Sequence, residues 1–225
     1  MAITIQGNGG TVAEVDGTSY RALRTRNAPL DVAALGHYQI SVLSGAIAAG
    51  MGAAGELLQV RWTDATRLCI PLKVEVTGMR ATTAFAAGAI DLEAIIARSW
   101  SADGTGGTAA TLTGNNQKMR TSMGTSLMGT IRFPTTAALG AGTKTFDAHG
   151  VGRITTHSSG GAGSATPIIG SIYLPKTVLF EQDMADGEHP IVLATNEGMS
   201  VRGTVPATGV WNIGFDFKWA EVAAF

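Results

Sequence analysis

The last strand-like segment of the chain places the strongest constraint on its fold. In GVWNIGFDFKWAEV, residues 209–222, large apolar side chains alternate without interruption with small or polar ones. The apolar positions are Trp211, Ile213, Phe215, Phe217 and Trp219. A period of two is the pattern of a β-strand that buries one face. Five bulky side chains on that face therefore predict a strand in the core of a β protein.

Four earlier segments with a similar period predict further strands: 38–44, 57–63, 67–78 and 89–100. The last of these also fits a helix, but its β-branched residues favour a strand. Pro71 predicts that 67–78 is an edge strand or contains a bulge, because proline has no N–H to donate to a ladder. In the turn Asn196-Glu197-Gly198, we expect Gly198 to adopt a positive φ.

The overall composition agrees with strands joined by many turns. The chain has 225 residues, of which 30 are glycine, and a chain of this length can form a single β domain. We predict an all-β body over residues 37–225, preceded by an irregular, extended N-terminal arm over residues 1–36. The Gly/Thr-rich section 101–170 is expected to form long loops, some of which project from the body.

The low charge of the chain bears on its partners. Charged residues make up 15% of the chain, whereas about 25% is usual for a soluble domain. The formal net charge of −1 gives no electrostatic basis for binding nucleic acid or a membrane surface. A surface with few charges is expected where other subunits cover it, or where Ser, Thr, Gly and Asn interact with water in place of charges. We favour the first interpretation and predict a homo-oligomer.

The N-terminal arm carries a cluster of arginines beside a tyrosine: Tyr20, Arg21, Arg24 and Arg26. Two interpretations remain open at this point. The cluster is either a solvated part of the arm or a docking segment that lies over a neighbouring acidic subunit.

The sequence GMGAAG, residues 50–55, matches the G-x-G-x-x-G motif of dinucleotide-binding enzymes through Gly50, Gly52 and Gly55. That motif requires a preceding buried strand and a helix that begins within it. Here small residues precede the motif and a strand-like segment follows it. The uncharged run around it is also too short to span a membrane. We interpret it as a close-packed loop between two strands, near a subunit contact.

No catalytic, metal or cofactor site follows from the sequence. The four histidines are scattered, no G-x-S-x-G motif is present, and the single cysteine, Cys69, lies in a strand-like run. The acidic segment 180–190 contains Glu181, Asp183, Asp186 and Glu188 but lacks the spacing of an EF-hand loop. We interpret it as a surface loop, with calcium binding as the alternative. The expectation is a protein that is not an enzyme and has no cofactor.

The two ends of the chain resemble a group of virion-associated structural proteins of tailed bacteriophages. The resemblance rests on the opening ITIQGNGGTVAEVDGTSYRALR and on the closing HPIVLATNEGMSVRGTVPATGVWNIGFDFKWAEV. In the closing segment an N-E-G turn precedes a last aromatic strand that ends in W-A-E-V. The match covers roughly the first 60 and the last 40 residues of the chain.

The resemblance implies an antiparallel, jelly-roll-like β-sandwich that is assembled onto a virion in the cytoplasm of the host bacterium. The leading expectation is a capsid decoration or cement subunit that stabilises the phage head. Its partners would be copies of itself and other virion proteins, chiefly the major capsid protein. The alternative is a tail or head-fibre module that binds a host surface glycan through the loops of 101–170.

Overall fold

A computed structural model describes residues 35–48, 51–159, 172–183 and 189–223, together with two short strands near the N-terminus. The chain divides into two compact units, Met1–Asp31 and Val32–Phe225. In the first unit, the described residues are β1 (Val15–Asp16) and β2 (Ala22–Leu23), which pair in antiparallel orientation.

The second unit is an all-β sandwich of two antiparallel sheets, as predicted. Its strands, in chain order, are β3 (Gly36–Leu43), β4 (Ile47–Ala48), β5 (Met51–Trp62), β6 (Leu68–Thr83), β7 (Gly88–Ala102), β8 (Thr108–Ala109), β9 (Met128–Phe133), β10 (Thr143–Phe146), β11 (Gly152–Ser158), β12 (Ile172–Leu174), β13 (Thr177–Glu181), β14 (Glu197–Val205) and β15 (Val210–Val222).

The strand order in the two sheets is that of a jelly roll. The β15 sheet has the order β3-β15-β6, with β12 and β13 along the other edge of β6. The β14 sheet has the order β5-β14-β7, with β10 and β11 along the other edge of β7. The β14 sheet also continues beyond β5 into β9 and β8. If these two strands are set aside and each broken edge strand is taken as one, each sheet has four strands. This arrangement of eight strands is the jelly roll.

The core lies between the two sheets and is built around β15. The five residues predicted to face the core, Trp211, Ile213, Phe215, Phe217 and Trp219, are all buried. Tyr38 of the neighbouring strand β3 stacks on Trp219, with 5.4 Å between ring centroids. The prediction of a core strand over 209–222 is therefore confirmed.

The strand that contains Pro71 is central rather than at an edge. β6 pairs with β15 on one side and with β12 and β13 on the other, so the edge alternative is excluded and the bulge alternative remains. A register shift between Lys218 and Trp219 lies opposite Pro71. The missing N–H thus falls where the ladder is already interrupted, and the predicted bulge is confirmed.

The turn before β14 uses Asn196, not Gly198, as its residue of positive φ. Asn196 has a φ of 62°, whereas Gly198 lies within β14. A Cβ atom at Gly198 would clash with the Val60 carbonyl oxygen and would lie 2.7 Å from the Trp100 ring. Glycine is required there by the close approach of two neighbours, so the predicted reason was wrong.

Much of the Gly/Thr-rich section packs on the sandwich. Residues 103–142, hereafter the insertion, contain β8 and β9, and β9 pairs with the free edge of β5. The insertion also reaches the edge strand of the other sheet, where the Gln39 N–H donates to the Gln117 carbonyl and the Met119 N–H donates to the His37 carbonyl. Residues 103–142 thus combine short strands with long connections that contact both sheets, and the projection of some of these loops stays a prediction. Residues 160–171 lie outside the described part of the chain.

Candidate functional site

The two outer faces of the sandwich differ in what covers them. On the β14 sheet, the insertion and β10 cover outward-facing polar side chains, and Glu56, Gln59 and Ser200 are at most 4% exposed. On the β15 sheet, the outer face is open in the described structure. There Leu43 is 58% exposed and Val178 is 40% exposed, although both are apolar.

A β-bulge brings two polar residues of β5 to the same covered face. Glu56 and Gln59 are three positions apart and would face opposite sides of a regular strand. The register of β5 with β14 shifts by one residue at Leu57. As a result, the Gln59 side-chain amide donates to Glu56 Oε2 at 2.9 Å.

Lys144 of β10 completes this group, which we call the buried polar cluster: Glu56, Gln59, Lys144 and Ser200. Lys144 Nζ lies 2.8 Å from Glu56 Oε2, and the Ser200 hydroxyl donates to the same oxygen at 2.7 Å. The Lys144 ammonium also lies 4.3 Å from the centroid of the Trp100 ring and donates to the Ala141 carbonyl. A buried pair with this many partners holds β10 and the end of the insertion on the sheet.

The middle of the insertion is fixed by a second buried carboxylate. Glu221 of β15 is 1% exposed and accepts hydrogen bonds from the Ser126 hydroxyl at 2.6 Å and from the Leu127 N–H at 3.0 Å. Burial raises the pKa of Glu221, and these hydrogen bonds only partly oppose that effect. Nearby, the Tyr38 hydroxyl donates to the Gly124 carbonyl.

The open face of the β15 sheet carries a polar depression of about 370 Å³. At its centre, Glu75 lies 2.8 Å from Lys73 and 2.7 Å from Lys176. Hydrogen bonds from Lys176 and Lys73 hold the pKa of Glu75 below its usual value, and the bond to Glu75 raises the pKa of Lys73. Glu181, Asp216 and Lys218 also line the depression, so its formal charges balance.

An apolar groove of about 450 Å³ adjoins the polar depression on the same face. Leu43, Leu174 and Pro175 contribute to its lining, and Lys176 borders both features. Together they form a surface with apolar contact area and paired charges of both signs. Such a mixture is typical of an interface between proteins rather than of an enclosed ligand pocket.

The glycines of the G-x-G-x-x-G match lie mostly in a strand. Gly52 and Gly55 belong to β5, so the prediction of a loop was wrong for them. A Cβ atom at Gly55 would lie 2.8 Å from Met51 Sδ and 3.0 Å from the Cβ of Ala138 in the insertion. The close packing is thus within the chain. Gly50 lies outside the described residues. The predicted docking segment also lies outside them: Tyr20, Arg21, Arg24 and Arg26.

The acidic segment 180–190 is only partly described. Glu181 ends β13 and Asp183 is exposed, whereas Asp186 and Glu188 lie outside the described residues. Within the described part of the chain, no group of three His, Cys, Asp or Glu side chains is placed to hold a metal ion. Cys69 is buried, as expected. Among the residues with described structure, no helix is long and apolar enough to cross a membrane.

No protein-family model, no curated protein and no solved structure matches this chain.

Proposed function

We propose that the chain is a non-enzymatic structural subunit of a bacteriophage virion, and specifically a capsid decoration or cement subunit. In this role it binds copies of itself and the major capsid protein. The open face of the β15 sheet supplies the contact, and burial of that face across capsomer junctions stabilises the head. The observation that carries the proposal is the jelly-roll strand order combined with this one open, mixed apolar and charged face.

The fold supports a structural role by analogy. Jelly rolls recur in viral capsid proteins and in lectins, and fold alone does not separate the two. All four tryptophans of this chain are fully buried, so none of them is available to stack on a sugar ring. The resemblance of the two chain ends to virion-associated proteins favours the capsid role over the glycan-binding role.

The use of charged residues also supports a subunit that is covered by neighbours. Glu56, Glu75, Glu93 and Glu221 are buried and occupied by lysine, arginine, hydroxyl or backbone donors within the chain. Because these four carboxylates are paired within the chain, fewer charged groups remain to contact water at the surface, and Ser, Thr and Gly take a larger share of that contact. An interface can bury such a surface at a smaller desolvation cost than a highly charged one.

The direct test is to count the protein in purified particles of a phage that encodes it. Quantitative mass spectrometry gives the copy number relative to the major capsid protein, and cryo-electron microscopy gives the position. Copies in the hundreds, at fixed positions on the shell, are the expected result. A few copies at the tail tip or on fibres would instead establish the adsorption role, and absence from the particle would refute both.

A matched pair of variants tests the proposed contact face. Leu43→Glu places a charge on the open face, and Val151→Glu places one on another apolar residue that is 38% exposed. We expect both proteins to fold, and only Leu43→Glu to lose binding to particles that lack the subunit. Equal binding by the two variants would show that the β15 sheet face is not the contact.

A further inference from the structure

The buried polar cluster holds an amine, a carboxylate and a carboxamide in contact, away from water. Lys144 Nζ and Gln59 Nε2 both contact the same oxygen of Glu56, at 2.8 and 2.9 Å. The side chains of Lys144 and Glu56 are only 2% and 4% exposed. The amine and the amide are therefore neighbours across one carboxylate oxygen.

The amide of Gln59 is also bound at its carbonyl. The Gly104 N–H donates to Gln59 Oε1 at 3.2 Å, and Gln59 Nε2 donates to the Gly140 carbonyl at 2.9 Å. A Cβ atom at Gly104 would lie 2.6 Å from both Gln59 Oε1 and Nε2. Glycine at this position lets the backbone N–H approach the carbonyl and polarise it.

We infer that Lys144 and Gln59 form an isopeptide bond, with Glu56 as the proton carrier. The arrangement supplies a nucleophile, an electrophilic carbonyl with a hydrogen-bond donor on its oxygen, and a base in contact with both nitrogens. This cross-link would join β5 covalently to β10 beneath the insertion. The inference is independent of the proposed virion role.

The reaction is a transamidation that needs no other reagent. Glu56 takes a proton from Lys144 Nζ, which then attacks Gln59 Cδ as the side chain rotates from the carboxylate toward the amide. The negative charge that develops on Oε1 is stabilised by the Gly104 N–H. Glu56 returns the proton to Nε2, and ammonia leaves as the Cδ–Nε2 bond breaks. The second proton of Nζ then passes through Glu56 to the departing ammonia. A lysine ammonium and a carboxamide become an isopeptide and an ammonium ion.

Ser200 acts as a positioning residue in this scheme. Its hydroxyl contacts Glu56 Oε2 and the Leu58 carbonyl, at 2.7 and 2.9 Å, and so fixes the carboxylate on β5. The aromatic rings of Trp100 and Phe146 cover Lys144 and exclude water. Holding the reacting groups together in this way favours the intramolecular reaction over hydrolysis.

The intact mass of the folded, full-length protein tests the inference. After prolonged incubation of the purified chain, we expect a mass lower than that of the sequence by one ammonia molecule. Protease digestion and tandem mass spectrometry should then yield one branched peptide that joins Lys144 to Gln59. The full sequence mass, or a bond between any other two residues, would overturn the inference.

Variants supply the controls. Lys144→Arg retains a positive charge but removes the amine, and we expect it to keep the full sequence mass. Lys176→Arg changes a lysine that forms a comparable carboxylate contact, 2.7 Å from Glu75, but is 67% exposed. Lys176→Arg should lose ammonia as the wild type does, and should migrate faster than Lys144→Arg on a denaturing gel. Retention of the ammonia loss in Lys144→Arg would also refute the assignment.

Discussion

Truncation of Phe215 tests whether β15 is the central element of the core. The side chain is 1% exposed and lies on the strand between β3 and β6, where it is registered with Val42 and Val76. Both neighbours belong to the same sheet, and the facing sheet closes the core above them, so the site has little freedom to collapse. Removal of a phenyl ring from such a core lowers the free energy of unfolding by about 3–5 kcal/mol.

For a domain of about 200 residues, this loss corresponds to a fall in Tm of about 6–20 °C. The assay is thermal unfolding followed by circular dichroism, with urea denaturation to obtain the free energy of unfolding and its slope. Lys218→Ala is the matched control, because it lies on the opposite face of the same strand and should change the free energy by less than about 0.5 kcal/mol. If Phe215→Ala behaves like Lys218→Ala, the reasoning about the core is refuted.

Three further predictions concern close packing and charge. Gly198→Ala should destabilise the protein, because its Cβ would lie 2.7 Å from the Trp100 ring, whereas Gly124→Ala should not, because nothing lies within 4 Å of a Cβ there; equal Tm values would contradict this. The pKa of Glu221 is higher in the folded protein than in the unfolded chain, so the protonated side chain stabilises the fold at low pH. This stabilisation should be lost as the pH rises above 4.5, the pKa of the side chain in the unfolded chain. Denaturant unfolding at pH 4 and pH 7 should therefore show that the free energy of unfolding of Glu221→Gln, relative to that of the wild type, is higher at pH 7. An equal difference at the two pH values would count against this. Glu75→Gln should lose the two short contacts to Lys73 and Lys176. The loss of stability should be largest near neutral pH, where the Glu75 carboxylate, whose pKa is lowered, is ionised. Urea titrations in which Glu75→Gln is as stable as Glu181→Gln would contradict this.

The long strands of the sandwich were predictable because apolar and polar residues alternate locally in their sequences. The alternation of 209–222 identifies both the strand and its buried face, and the period of 89–100 was correctly assigned to a strand, β7. What alternation cannot show is whether the second face of a strand is also buried. Gln59 is polar and lies on the face opposite Leu58, yet it is buried because residues distant in sequence cover that face.

The candidate site was hidden from the sequence for the same reason. Glu56 and Gln59 lie on one face only because of the bulge at Leu57. A leucine at that position gives no indication of a bulge in the sequence. Lys144 lies in a Gly-rich section whose composition resembles a flexible loop. Its burial depends on a salt bridge to a residue in β5, a long-range contact that no local pattern encodes.

The asymmetry between the two faces limits how the protein can assemble. The chain covers the β14 sheet with its own insertion, and a partner that bound there would have to displace β9 from β5 and break the contacts of Lys144 and Glu221. On the β15 sheet, Leu43 and Val178 are exposed, and within the described part of the chain a partner would reach them without displacing a strand. Because the three carboxylates and three lysines of the polar depression already balance, a partner need not bring a net charge of its own. A surface of this kind suits repeated contact with identical or similar neighbours, where shape and apolar area determine affinity more than charge does.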